Sequence, residues 1–145
     1  MISFRQTIHI ERTPAQVWAF MMDFSTAPRW RTHVRDMRVV NDGPLRVGTE
    51  LQVTFDLPGR VRTARCEVCG FETARRFCLR SSSKKATGTF EYLLVPDRGG
   101  TSVTLSCDLR PHGLMWLLAP VMVKTNRQRF AQHLPNLKRE VERSA

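Results

Sequence analysis

The chain has 145 residues, 41% of them apolar and 25% charged, with a formal net charge of +10. Those proportions exclude a disordered or fibrous chain and give enough length for one domain, residues 1–145, with a real core. The longest apolar run, Leu114 to Val123, is too short to span a bilayer and contains Pro120.

In chain order, Ile2, Phe4, Ile8 and Ile10 share one parity and predict a first strand. Met1 to Arg5 runs straight into that pattern, so no signal peptide is expected and a cytoplasmic protein is the reading. Thr13-Pro14 predicts a helix start, with Thr13 as N-cap and Pro14 in the first helical position. Val17, Trp18, Phe20, Met21 and Phe24 make its apolar face, and Ala27 to Trp30 reads as a second short helix or turn. His33 to Val40 is the second expected strand, closed by the turn cluster Asn41 to Pro44. Thr49 to Asp56 alternates cleanly, with Leu51, Val53 and Phe55 on one face. A hairpin turn at Leu57 to Arg60 leads to a strand carrying Arg62, Ala64, Cys66 and Val68 on one parity, ended by Gly70. Arg75 to Arg80, Thr87 to Val95 and Thr101 to Arg110 complete the set, with polar turns at Ser81 to Lys85 and Pro96 to Gly100. A single long helix is expected from about Leu114 to about Arg143, with a core stripe of Phe130, Leu134, Leu137 and Val141. Seven strands joined by tight turns predict an antiparallel meander with one wet face, whose dry face the last helix covers.

The cysteines are Cys66, Cys69, Cys78 and Cys107, all within expected strands. Cys66 and Cys69 have metal-like spacing, but an odd separation along a strand points them to opposite faces. Buried free thiols acting as small hydrophobes are the better reading, and no metal is expected. The basic residues are spread from Arg29 to Arg143 without a zinc finger, helix-turn-helix or RNP-type motif, which argues against nucleic acid as the main partner. No Gly-x-Ser-x-Gly, phosphate loop or dinucleotide fingerprint is present, so no cofactor is called for. Glu50, Asp56, Glu67, Glu72 and Glu91 fall mostly on wet strand faces and form no acid/base pair.

Pro14, Val17-Trp18, Asp23 and Trp30, then Gly48-Thr49, Gly100-Thr101 and Pro111-His112-Gly113, follow one another in a family's order. Over nearly its whole length the chain resembles the START/SRPBCC superfamily, in its polyketide cyclase/dehydrase and lipid-transport branch. The resemblance implies an α+β helix-grip (START/Bet v 1-like) fold: a seven-stranded antiparallel sheet around the C-terminal helix, two small helices after the first strand, and a deep cavity between sheet and helix. It implies a small hydrophobic ligand (lipid, isoprenoid or polyketide-like) and leaves catalysis open, since only some members catalyse.

Candidate lining residues are Leu51, Val53, Phe55, Phe77, Phe90, Tyr92 and Leu105, all on dry parities. Plain core packing explains each equally well. Asn126 lies one helical turn before Phe130 and is expected to face inward, orienting a ligand oxygen or bonding backbone. Tyr92 brings a hydroxyl that donates to, or polarises, a carbonyl. Trp30, Arg31 and His33 belong near the expected mouth, where His33, with Asp36 close by, is a candidate general acid/base. A cyclase or dehydratase using Tyr92, His33 or Asn126 is therefore the alternative to a carrier. The run from Leu114 to Val123, including Met122, is apolar on every side and is expected to line the pocket, form an interface or touch a membrane. As a gate it would set Lys124, Arg127 and Arg129 against anionic headgroups. A basic module for nucleic acid or anionic membrane is the third reading; the oligomeric state is open.

Overall fold

The structure, a computed structural model, describes residues 2–57, 59–83 and 86–144, apart from the side chains of residues 57, 122, 125, 126, 129 and 130. Strand β1 (Ile2–Ile10) is followed by helix α1 (Pro14–Met22), a 3₁₀ turn and the short helix α2 (Ala27–Trp30). Strands β2 (Val34–Val39), β3 (Glu50–Leu57), β4 (Arg60–Glu72), β5 (Arg76–Ser82), β6 (Ala86–Asp97) and β7 (Gly100–Pro111) come next. A 3₁₀ segment (Gly113–Leu118), helix α3 (Ala119–Phe130) and helix α4 (His133–Arg143) end the chain. The seven strands form one antiparallel sheet in the order β1-β7-β6-β5-β4-β3-β2. Helices α1 and α2 carry the chain from one edge of the sheet to the other, and the meander returns it strand by strand to β1. This is the α+β helix-grip architecture.

Local chemistry explains the element boundaries. Thr13 Oγ1 accepts from the Gln16 N–H at 3.2 Å while Gln16 Oε1 accepts from the Thr13 N–H at 3.0 Å, a reciprocal cap with Pro14 inside it. His33 has φ +64°, so β2 starts one residue later than the alternation predicts. Gly70 does not end β4: the strand runs on to Glu72, and the register shift against β5 falls between Val68 and Gly70. At Arg98-Gly99, φ values of +48° and +80° make the two-residue turn that joins β6 to β7. Gly100 next to it has no alternative, because a Cβ there would run into the Ile10 carbonyl where β1 meets β7.

The expected single C-terminal helix is broken. Pro135 has no N–H to give the Ala131 carbonyl, and its ring crowds that carbonyl. The helix stops at Phe130 and restarts at His133, and the Gln6 side chain donates to the freed Ala131 oxygen at 3.4 Å. The two halves then differ. On α4, Leu134 and Leu137 are wholly buried and Val141 nearly so, the expected stripe without Phe130, whose side chain lies outside the described residues. Polar ties lock the same helix to its neighbours. Glu140 accepts from Arg29 Nε of α2 at 2.8 Å, and Lys138 Nζ donates to the His9 carbonyl of β1 at 2.8 Å. Along the 3₁₀ segment and α3, by contrast, Leu114, Trp116, Leu117, Leu118 and Val121 are exposed.

Glu140 has its carboxyl held below the usual carboxylate range, first by the Arg29 hydrogen bond and then by Arg143 and Arg139. A lowered folded-state pKa adds stability that is complete above the ordinary carboxylate range and disappears as the pH falls through the lowered value. Glu140→Gln is therefore expected to lower the urea midpoint at neutral pH, with the gap from wild type closing under acid conditions. A gap that stays constant across the acid range would show that the ion pair does not tie α2 to α4.

Candidate functional site

The inner face of the sheet is not filled uniformly. Towards α1 it is solid: Trp18 stands edge-on to Phe71 (ring centroids 5.5 Å) and Phe77 (6.2 Å), and Leu51, Val68 and Val103 are wholly buried around them. Towards the other end, beneath α2 and the start of α4, a cavity of about 60 Å³ remains. Its apolar walls are Val34 and Met37 of β2, Val53 and Phe55 of β3, Leu79 of β5 and Phe90 of β6. Its polar lining is Arg31, Tyr92, His133 and Cys66.

The polar corner is built around a guanidinium. Arg31 directly follows α2, and its N–H donates to the Ala27 carbonyl to close that turn. Its Cζ lies 4.2 Å from the Trp30 ring centroid and 5.2 Å from that of Tyr92. Arg31 Nη1 donates to the Tyr92 hydroxyl at 3.0 Å. Trp30 in turn stands edge-on to Tyr92 (6.0 Å) and His133 (6.3 Å), so one indole holds three polar side chains in place. Arg31 is 8% exposed, and among the described residues its Nε and Nη2 have no hydrogen-bond partner. Burial is also what pushes the Cys66 thiol up, against smaller opposing pulls from Ser81 and Arg31.

Two further concavities frame this one. A hollow of about 200 Å³ lies between β1, β7 and α3, lined by Phe4, Gln6, Leu105, Arg127 and Ala131. Leu105 is directly opposite Tyr92 in the β6–β7 register, so the two inner hollows lie side by side on one face. A wider depression, about 580 Å³, is on the convex face among Ser3, Arg5, Arg76, Glu91, Ser106 and Asp108. Size does not make it the better site. Its polar groups already satisfy each other, through Ser3 to Asp108 at 2.6 Å and Arg76 to Glu91 at 2.7 Å, whereas the inner cavity holds a buried cation with donors to spare.

Of the residues anticipated from sequence, Val53, Phe55, Phe90 and Tyr92 line the inner cavity and Leu105 lines the neighbouring hollow. Leu51 and Phe77 sit in the solid core, and Trp30 stands behind Arg31. His33 is exposed and does not line the cavity; Asp36 pairs with Arg38 at 3.3 Å instead. The side chains of Met122 and Asn126 lie outside the described residues. Arg31, expected near the mouth but given no role there, lines the cavity, and His133 is the polar member that the sequence did not assign to the site. Leu79 shares parity with Phe77, and Cys66 with Val68, so alternation did carry a signal for those two. Cys66 faces inward, while Cys69 is on the outer face beside Cys78, as their odd spacing requires.

A family model described as polyketide cyclase/dehydrase and lipid transport matches residues 1–142. The chain belongs to that family. Among solved structures, the family fold recurs in TTHA0849 from Thermus thermophilus, with a TM-score of 0.81, 17% identity and 99% of each chain covered. It recurs in the Zhui aromatase/cyclase from a Streptomyces species, with a TM-score of 0.77, 14% identity and coverage of 98% of this chain and 94% of that one. Ara h 8.0201 matches with a TM-score of 0.75, 17% identity and 97% of each chain covered. At these identities the likeness is one of fold. A search of curated protein sequences finds no match. Within the family fold, the described residues contain no group of three or more metal-ligating side chains, and no described helix is long and apolar enough to cross a membrane.

Thiol chemistry reports directly on this geometry. Cys78 is pushed up to about 12, chiefly by burial and then by its hydrogen bond with Cys69, and Cys66 is raised by burial. Both are expected to resist iodoacetamide at pH 8 in the native protein and to react once it is unfolded in urea, because only the thiolate attacks. Peptide mapping that finds Cys66 alkylated as fast as an unfolded control would place it outside the cavity.

Proposed function

We propose that this chain binds a small hydrophobic ligand, a lipid, isoprenoid or polyketide-like molecule, on the inner face of the sheet beneath α2, α3 and α4. The observation that carries this reading is the apolar cavity with Arg31, Tyr92 and His133 gathered at one corner. Apolar walls supply affinity by desolvation, and a few placed polar groups set orientation. Ligand pockets of this kind measure roughly 300–1,000 Å³. A cavity of about 60 Å³ therefore has to open into its neighbour of about 200 Å³, which Arg127 and Ala131 line on the α3 side. The break at Pro135 separates α3 from α4, which Glu140 and Lys138 tie to α2 and β1.

The test is native mass spectrometry of the purified protein, followed by solvent extraction. Wild type is expected to carry a discrete hydrophobic molecule or to bind N-phenyl-1-naphthylamine, and Val53→Phe, which puts a ring into the cavity, to weaken that binding about ten-fold or more. A wild-type protein that is bare and binds no such probe would sink the reading.

A second, enzymatic reading has one observation in its favour: Arg31 donates to the Tyr92 hydroxyl at 3.0 Å within the cavity wall. A phenol held by a cation is a stronger donor to a substrate carbonyl, which suits cyclisation or dehydration. Turnover lost in Tyr92→Phe with ligand binding retained would select it.

The exposed run on the 3₁₀ segment and α3 supports peripheral contact with an anionic membrane, where ligand would enter. Leu114 is 83% exposed, Leu117 79% and Val121 63%, beside the exposed Lys124 and Arg127. Co-sedimentation is expected with phosphatidylglycerol-containing vesicles, with a blue shift of Trp116 fluorescence, and is expected to be lost in Leu117→Glu. Binding indifferent to anionic lipid would exclude this contact.

A further inference from the structure

We infer that the ligand of the inner cavity carries a carboxylate, or an equivalent planar two-oxygen anion, and that Arg31 binds it side-on. The inference rests on the ligand-binding reading above and concerns the same site. Four buried polar atoms on three consecutive residues lack a partner among the described residues: Arg31 Nε, Arg31 Nη2, Trp30 Nε1 and Thr32 Oγ1. Buried side chains normally find partners, and a buried charge does so almost without exception. Arg31 forms no ion pair with any described carboxylate, whereas Arg29, Arg35, Arg65, Arg76 and Arg80 all do.

The geometry says what is missing. The ring contacts with Trp30 and Tyr92 hold the guanidinium, and Nη1 is taken up by the Tyr92 hydroxyl. What remains is the edge made by Nε and Nη2. Their N–H bonds point the same way and match the spacing of two carboxylate oxygens. Arg31 lines the cavity together with Val53, Phe55, Leu79 and Phe90, so an anion on that edge has its apolar body against those walls. A neutral ligand would leave the charge unanswered. Burying a guanidinium in this setting costs the apo protein stability that binding restores, the signature of a recognition group.

A matched pair of ligands tests this. N-phenyl-1-naphthylamine, a neutral dye, reports occupancy, and decanoate and decanol compete for it in wild type, Arg31→Met and Arg31→Lys. Decanoate is expected to bind wild type about 10- to 100-fold more tightly than decanol, the range for hydrogen bonds to a charged group. Arg31→Met is expected to lose that preference, decanoate and decanol then competing equally, and Arg31→Lys to keep part of it. The thermal midpoint of Arg31→Met is expected at or above that of wild type, since an unpaired charge leaves the interior. The Arg31 Nε resonance of wild type is expected to shift with decanoate and not with decanol, a readout that needs no variant. Equal affinities for decanoate and decanol in wild type, or a preference that survives in Arg31→Met, would overturn the inference and leave the cavity reading standing. A wild type that binds neither the dye nor either competitor would overturn the cavity reading, and this inference with it.

Discussion

A sheet with one dry face has to be covered, and the rest of this molecule follows from how incompletely that is done. Strands β6 and β7 are 12 residues long, about 40 Å at roughly 3.3 Å per residue. Helix α4 has 11 residues, about 16 Å at roughly 1.5 Å each. It is anchored by Leu134, Leu137 and Val141 against the sheet and by Arg29, His9 and Glu11 through Glu140, Lys138 and Glu142. Helix α1 and the aromatic cluster of Trp18, Phe71 and Phe77 complete the cover at one end. Beyond the break before Pro135 the cover is α3 and the 3₁₀ segment before it, which leave Leu114, Leu117, Leu118 and Val121 in water, with a hollow beneath α3. Stability and capacity are thus assigned to different parts of one inner face.

The buried guanidinium belongs to the loosely filled part. Within a solid core, Arg31 would cost several kcal/mol with nothing in return. Trp30 and Tyr92 offset part of that cost through their ring faces and a hydroxyl. They also hold it in one orientation, and a preorganised cation in an apolar cavity discriminates among ligands better than a mobile one. Trp30 is the hinge of this arrangement. It is backed by His133 and tied to α4 through the Asn136 side chain, which donates to its carbonyl at 3.4 Å. Movement of α4 would therefore be felt at Arg31.

The convex face works by different rules. Its carboxylates are taken up in cross-strand pairs: Glu50 with Arg65 at 3.0 Å, Glu67 with Arg80 at 3.4 Å and Asp56 with Arg35 at 3.1 Å. Exposed pairs of this kind add little stability. They do fix which way each strand faces, since a register slip of one residue would turn them inward. That leaves the excess positive charge of the chain spread over the surface, including Lys124 and Arg127 beside the exposed apolar run.

The sequence by itself determined the parity of nearly every strand, the capped start of α1 and the core stripe of α4, because alternation and capping act over a few neighbouring residues. It carried the family too, through short motifs in a set order. Pro135 was also legible in principle as a helix break, since the missing N–H is a local fact, although the apolar stripe around it pointed to one continuous helix. Only the tertiary structure decided which dry-face residues fill space and which enclose it. Leu51 and Val53 have the same parity on one strand, yet Leu51 is wholly buried in the core and Val53 lines the cavity. Only the fold could place Arg31 and His133, about a hundred positions apart in sequence, on either side of one indole. The chemistry of Arg31 depends on its burial and on the absence of a counter-charge among the described residues, and both are properties of the assembled surroundings that no local pattern encodes.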